Sequence, residues 1–284
     1  MATALVCSGI LSAADPSGGY DADAAARIGT IEARLHGRLG VAAFDTGTKR
    51  WIQHRSEERF PLCSTFKLAL VGAVLHRVDA GTEKLDRVIA YTAADLLEYA
   101  PVTREHVGEG GMTVEALCAA AIEQSDNTAA NLLLATVGDP AGLTTYLRTL
   151  GDEVSRLDRV EPALNETAVG DLRDSTSPSA MLGSVRALLL GDALTSESRA
   201  KLDNWLTHNT TGAHLIRAGV PPGWQVGDKT GRGGDNTIND IAIIHPKEGA
   251  PILLCIYFSG SKALVAEREA AVAETARIVC EAFQ

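Results

Sequence analysis

The chain of 284 residues lacks several features that would each have named a function class. No apolar run approaches the roughly 20 residues that a membrane-spanning helix needs. There is no excess of basic charge: Lys+Arg is 26 against Asp+Glu 36, a formal net charge of −10. A non-specific nucleic-acid binder needs a basic footprint, and so does a protein docking on an anionic membrane. Neither nucleic acid nor membrane is therefore an expected partner. Cysteine is sparse. Cys7, Cys63, Cys118, Cys255 and Cys280 show no CxxC spacing, so they mark neither a disulfide scaffold nor a zinc site. The seven histidines are scattered and form no HExxH, so no metal and no other cofactor is expected. Repeats and low-complexity segments are also missing. Hydrophobic residues at 45% and charged residues at 22% exclude disorder as the main state.

Met1 to Ala14 is a short apolar stretch ending in small residues, like the h-region and cleavage site of a secretory signal. It has no basic n-region, since the first basic residue is Arg27. Residues 1–20 are read as a candidate leader, and the protein is expected to be exported, periplasmic or secreted. Residues 21–37 carry Ile28, Ile31 and Leu35 at helical spacing behind Asp21 or Asp23 as a cap. Residues 39–46 and 50–54 read as two strands joined at Gly47-Thr48. From 62 to 207 the patterning is helical, with no convincing strand. After 223, three strands are predicted, at 224–231, 237–246 and 251–260. The middle one is expected to break at Asn239-Asp240. A long helix at 263–283 closes the chain. Strands at both ends with helices between predict an α/β (α+β) architecture: one sheet built from both termini and an inserted helical domain. The boundaries are 21–61 with 208–284 for the sheet-and-helix domain, and 62–207 for the helical one.

Three short motifs carry chemistry. In Ser64-Thr65-Phe66-Lys67, positions i and i+3 share a helix face, so the hydroxyl and the amine can meet. A serine nucleophile needs such a neighbour, and a lysine with a lowered pKa can be its base. Ser125-Asp126-Asn127 lies between two helical segments, and Lys229-Thr230-Gly231 at a strand end. Each alone has a plain structural explanation: a helix cap with a solvated lysine, a cap cluster, a glycine turn. In this order and at these separations they form the signature of class A β-lactamases and penicillin-binding proteins.

The chain resembles the class A serine β-lactamases, from about residue 23 to 283. Glu58-Arg59-Phe60-Pro61, the run from Glu98 to Thr103, Asp126 to Leu132, and Pro222-Gly223-Trp224 extend the likeness. Arg159-Val160-Glu161-Pro162-Ala163-Leu164-Asn165 resembles the Ω-loop motif of the family, placing that loop at about 156–174. The resemblance implies a five-stranded antiparallel sheet flanked by helices, with the active site between the sheet and the helical domain. It implies a monomeric hydrolase of small-molecule β-lactams. Ser64, Lys67, Ser125, Glu161 and Lys229 would be catalytic. Tyr99, Asn127, Asn165, Thr230, Gly231 and Arg232 would bind substrate. The base for acylation stays open between Lys67 and Glu161 acting through a water. A cis Glu161-Pro162 peptide and an Arg159–Asp174 pair closing the loop are also implied.

A D,D-peptidase would share the Ser64 and Lys229 motifs but lack the Glu161 loop, and a penicillin-sensing domain that stays acylated would also lack a deacylating carboxylate. The chain also departs from the family. Arg232 follows Lys229-Thr230-Gly231 where a small residue is common, and Ile238 stands where many members carry an arginine for the substrate carboxylate. Arg232, Arg217 and Arg268 are the candidates for that task. Cys63 and Cys118 lack the partners that such cysteines have in some relatives, so no disulfide is expected in the folded body.

Overall fold

The computed structural model describes residues 19–166, 168 and 170–284; the candidate leader and Cys7 lie outside the described residues but for Gly19 and Tyr20. Asp21, in extended backbone, accepts a hydrogen bond from Ala24 N and so starts α1 (Ala22–Leu35). The chain then forms β1 (Arg38–Asp45), β2 (Trp51–His54) and the short β3 (Phe60–Pro61). A 3-10 turn, Cys63–Thr65, leads into α2 (Phe66–Asp79). The middle of the chain carries β4 (Val88–Ile89), β5 (Met112–Thr113), α3 (Val114–Glu123), α4 (Asn127–Thr136) and α5 (Asp139–Thr149). β6 (Ser175–Thr176), α6 (Pro178–Leu189), α7 (Ser196–Thr207) and the single turn α8 (Ile216–Gly219) follow. The chain ends in β7 (Gln225–Gly233), β8 (Thr237–His245), β9 (Ile252–Ser259) and α9 (Val265–Phe283).

The main sheet is antiparallel, in the order β2-β1-β9-β8-β7, so both ends of the chain build it as expected. Two expectations fail. The stretch 62–207 does contain strands: β4 pairs β5, and β6 pairs β3. They are two residues each, too short for a period-2 pattern to register. And β8 runs unbroken through Asn239-Asp240, which pair in register with Gly231 and Thr230. Polar side chains depress a sequence reading of a strand, but they leave the backbone ladder intact.

Side chains alternate across the sheet. Ile241 and Ile243 of β8, with Leu253, Cys255 and Tyr257 of β9, pack with α2 to α7. Ile238, Ala242, Ile244, Leu254, Ile256 and Phe258 face the other way and pack with α1, α8 and α9. β9 is central and covered on both faces, so every residue of it is buried and its sequence is a nearly continuous apolar run. β7 is an outer strand, and its free edge lies beside the Cys63–Thr65 turn. Two glycines allow that approach. A Cβ on Gly231 would lie 3.1 Å from the Leu62 carbonyl oxygen, and one on Gly233 would lie 2.6 Å from Cys63 Sγ.

Candidate active site

Ser64 sits in the 3-10 turn just before α2, not in the helix proper. Its neighbour Cys63 has φ of 45°, and Ser125 has φ of 58°. Left-handed backbone at a non-glycine residue costs of order 1–3 kcal/mol and persists only where surroundings enforce it. Here one such residue is next to the nucleophile and the other carries a hydroxyl of the site. Asn239 braces the first: its Nδ2 donates to the Pro61 carbonyl at 2.8 Å. Asp126 braces the second segment. It caps α4 through Ala129 N and accepts from Val102 N, Thr103 N and the Thr103 hydroxyl.

Lys67 is fully buried and joins the pieces. Its Nζ is 3.0 Å from Ser64 Oγ, 2.8 Å from the Ser125 carbonyl, 2.6 Å from Asn127 Oδ1 and 3.1 Å from Glu161 Oε1. Ser64 donates its hydroxyl to Glu161 Oε1 at 3.2 Å. Asn165 donates to the other oxygen, Glu161 Oε2, at 2.5 Å, and its own Oδ1 is buried without a partner. From the far wall, Lys229 Nζ reaches Ser125 Oγ at 3.1 Å. Thr230 Oγ1 lies 2.5 Å from Thr211 Oγ1. Burial pushes the Lys67 ammonium below its ordinary pKa, against the attraction of Glu161 and Asp126. Lys229 is pushed down to about 7 by burial and by the like charge of Lys67, with Asp228 and Asp240 opposing. Two lysines that hold their protons loosely, with a serine hydroxyl between them, form a path along which a proton can move.

The loop carrying Glu161 is anchored at both ends. Asp174 is buried and accepts from Asp158 N, Arg159 N and, at 2.6 Å, Arg159 Nε. The Arg159–Asp174 pair is thus a multiply bonded closure on a buried carboxylate rather than two surface charges. The Glu161-Pro162 peptide is cis. Asn131 on α4 clamps Glu161 from behind: it accepts from Glu161 N at 3.0 Å and donates to the Glu161 carbonyl at 2.9 Å. Asn131 lies within the matching stretch from Asp126 to Leu132, where the sequence alone gives it no task. An amide four residues after Asn127, one helical turn on, was the available signal.

Ser64, Lys67, Ser125, Asn127, Glu161, Asn165 and Lys229 thus form one hydrogen-bonded group, and Thr230 and Gly231 line the β7 wall beside it. Tyr99 stands at the rim, 51% exposed. Arg232 is placed differently. Gly231 and Gly233 on either side of it face the nucleophile turn, so its side chain leaves the opposite face of β7 and pairs with Glu269 of α9 at 2.6 Å. The other two arginines are already engaged. Arg217 binds Asp228 at 2.5 Å and two main-chain carbonyls, and Arg268 binds the carbonyls of Ala263 and Asn236. Cys63, Cys118, Cys255 and Cys280 are all buried free thiols. Among the described residues no cluster of His, Cys, Asp and Glu could hold a metal ion, and no helix is long and apolar enough to cross a membrane.

The family model described as the beta-lactamase enzyme family matches residues 23–283. The chain is 47% identical over 257 residues to the beta-lactamase AST-1 of Nocardia asteroides, covering 90% of this chain and 83% of that protein. It is 44% identical over 251 residues to the beta-lactamase OXY-2 of Klebsiella oxytoca, covering 88% and 86%. Among solved structures, an ancestral class A beta-lactamase superposes with a TM-score of 0.90 at 55% identity, over 92% of this chain and 100% of the other. A reconstructed last common ancestor of the Gram-negative class A enzymes gives 0.90 at 54%, over 92% and 99%. With the fold, the motifs and the Glu161 loop all in place, this chain belongs to the beta-lactamase enzyme family, as a class A member.

Proposed function

We propose that the protein hydrolyses the amide bond of penicillin- and cephalosporin-type β-lactams through an acyl-enzyme on Ser64, and so confers resistance to them. Ser64 Oγ bonds to the lactam carbonyl carbon, and its proton passes to Glu161 or Lys67. The C–N bond then breaks, and Ser125, beside Lys229, supplies a proton to the departing nitrogen. The main-chain N–H groups of Ser64 and Arg232 hold the oxyanion. Glu161 and Asn165 orient a water that attacks the ester, and Ser64 leaves with a proton. Asn127 binds the acyl side chain, Tyr99 flanks it at the rim, Thr230, Gly231 and Lys229 serve the carboxylate end, and Arg232, on the same strand face as Thr230, reaches that end on release from Glu269. In an acidic protein, Lys67 and Lys229 still make the cleft locally positive, because a low-dielectric cleft focuses its own field.

The observation that carries this reading is the double contact of Glu161: one oxygen takes the Ser64 hydroxyl and the other the Asn165 amide. A carboxylate held in this way supports service to both the nucleophile and the water that follows it. A peptidase or a sensor that stays acylated has no need of it. The same reading makes the protein an exported one, since its substrates act on cell-wall synthesis outside the cytoplasmic membrane. The test is the Glu161→Ala variant. General-base catalysis contributes about 10²–10⁴-fold, so deacylation should slow by at least that much. Incubation with a penicillin followed by intact-mass measurement should show protein plus one antibiotic, stable for minutes. No adduct would make Glu161 the base for acylation as well. Turnover at the wild-type rate would refute the mechanism.

A further inference from the structure

Behind the β7 wall lie two carboxylates that the proposed reaction does not use. Asp228 of β7 and Asp240 of β8 are both fully buried, on the sheet face turned toward α8 and α9. Asp240 interrupts an otherwise apolar row, Ile238, Ala242 and Ile244. Their donors are divided unequally. Asp228 accepts from Arg217 Nε at 2.5 Å and from Asn209 Nδ2 at 2.6 Å. Asp240 accepts only the Ile216 N–H, at 3.0 Å on Oδ2, and its Oδ1 is buried with no donor. In the β7–β8 ladder Asp228 lies opposite Ala242 and Asp240 opposite Thr230, so the two buried carboxylates are diagonal neighbours on one sheet face, with side chains long enough to meet.

We infer that Asp228 and Asp240 share a single proton, carried by Asp240, so that the pair presents one negative charge, not two, behind Lys229 and Arg217. Two carboxylates in contact cannot both ionise in a buried site. A proton on Asp240 turns that contact from repulsive to bonding, and it gives the orphaned Oδ1 an acceptor in Asp228. Asp228 keeps the charge because a guanidinium and an amide already solvate it. The groups facing Asp240 leave no other source of compensation. β7 offers Asp228, Thr230 directly across the ladder, and the Lys229 charge on the opposite face. α8 offers Arg217, already bound to Asp228. β9 offers Ile256 in register and the Cys255 thiol beside it. α9 turns Ala271, Val272 and Ala276 toward this layer. Burial and the neighbouring Asp228 both push Asp240 well above the ordinary carboxylate range.

The consequence reaches the cleft through Lys229. The one remaining charge is taken up by Arg217, so Lys229 has no counter-ion of its own and holds its proton loosely. In acid form Asp240 thus adds no second anion behind Lys229. Thr230, whose hydroxyl meets Thr211, is tied to the same pair through Thr211 and Asn209.

Infrared spectroscopy of the whole protein tests this without relying on turnover. At neutral pH, carbon-13-labelled aspartate should shift a carboxylic-acid C=O band, and Asp240→Asn should remove that band. Absence of a label-sensitive acid band in the wild-type protein overturns the proposal even if the variant fails to fold, and so does a band that survives in Asp240→Asn. The pH profile is the second readout. An asparagine mimics the protonated acid, so Asp240→Asn should keep kcat/KM within about twofold and leave its alkaline limb in place. Were Asp240 ionised, the substitution would remove an anion near Lys229 and move that limb to lower pH, which refutes the inference. Asp228→Asn should make that downward move itself, and no shift there counts against the proposal.

Discussion

On the floor of the cleft Lys67, Glu161 and Lys229 are at most 1% exposed, whereas at its rim Tyr99 is 51% exposed and the Arg232 side chain 47%. The floor groups are each held by two or more partners drawn from different elements. Lys67 alone ties α2 to the Ser125 turn, α4 and the Glu161 loop. The rim groups have one partner or none, and the Arg232–Glu269 pair is open to water. Burial makes each floor contact costly to lose and forces pKa shifts. Exposure makes each rim contact cheap to exchange, since a surface ion pair contributes only about 0–1 kcal/mol. The floor is thus suited to fixed chemistry, and the rim to adjusting which substrate fits.

Substitutions can break or sharpen that contrast. The largest effect is expected at the nucleophile. Ser64→Ala should lower kcat for penicillin by about 10⁴-fold or more, as removal of a nucleophile does elsewhere, and should abolish covalent labelling in the mass spectrum. The loop anchor comes next. Asp174→Asn leaves Arg159 without its buried partner and should cost about 3 kcal/mol of stability, measured by urea unfolding.

Lys229 tests the electrostatics of the floor. Its proton is lost as pH rises through about 7. If the ammonium is needed, kcat/KM for an anionic β-lactam should fall above that pH. In Lys229→Arg the limb should move upward, because a guanidinium does not titrate in this range. An alkaline limb unmoved in that variant would assign it to another group.

At the rim the effects should be smaller. A charge-assisted hydrogen bond contributes about 1.5–3 kcal/mol, and Glu269 competes with substrate for Arg232, so Arg232→Ala should lower kcat/KM about tenfold, the low end of that range. Glu269→Gln should raise kcat/KM for the same substrates by about two- to fivefold, the worth of one exposed pair, with no effect in the Arg232→Ala background. A rim substitution as damaging as Ser64→Ala would dissolve the distinction between rim and floor.

Much of this was legible in the chain. The short apolar runs of β1 and β9, the helical spacing of Ile28, Ile31 and Leu35, and the Asp21 cap follow from local rules and stand within a few residues of their expected positions. So does the meeting of Ser64 and Lys67, three residues apart. By hydropathy alone the Asn239-Asp240 pair reads as a break in β8, although the strand runs through it. Asn239 is polar since it braces the nucleophile turn, and Asp240 since Asp228 faces it. Both reasons lie on other elements. The direction of Arg232 was equally hidden: β alternation makes it opposite to Gly231, but only packing against Cys63 says which face meets the nucleophile turn.

By itself the sequence determined which chemical groups were on offer and, through spacing of two or three to four residues, which of them share a strand or helix face. Those are short-range matters of backbone geometry. Only the tertiary structure decided that Glu161 meets Ser64 across 97 positions, and that Lys229 meets Ser125 across 104. It alone set the charge states, because proton affinity depends on the water removed and the charges brought near, and both come from packing between elements.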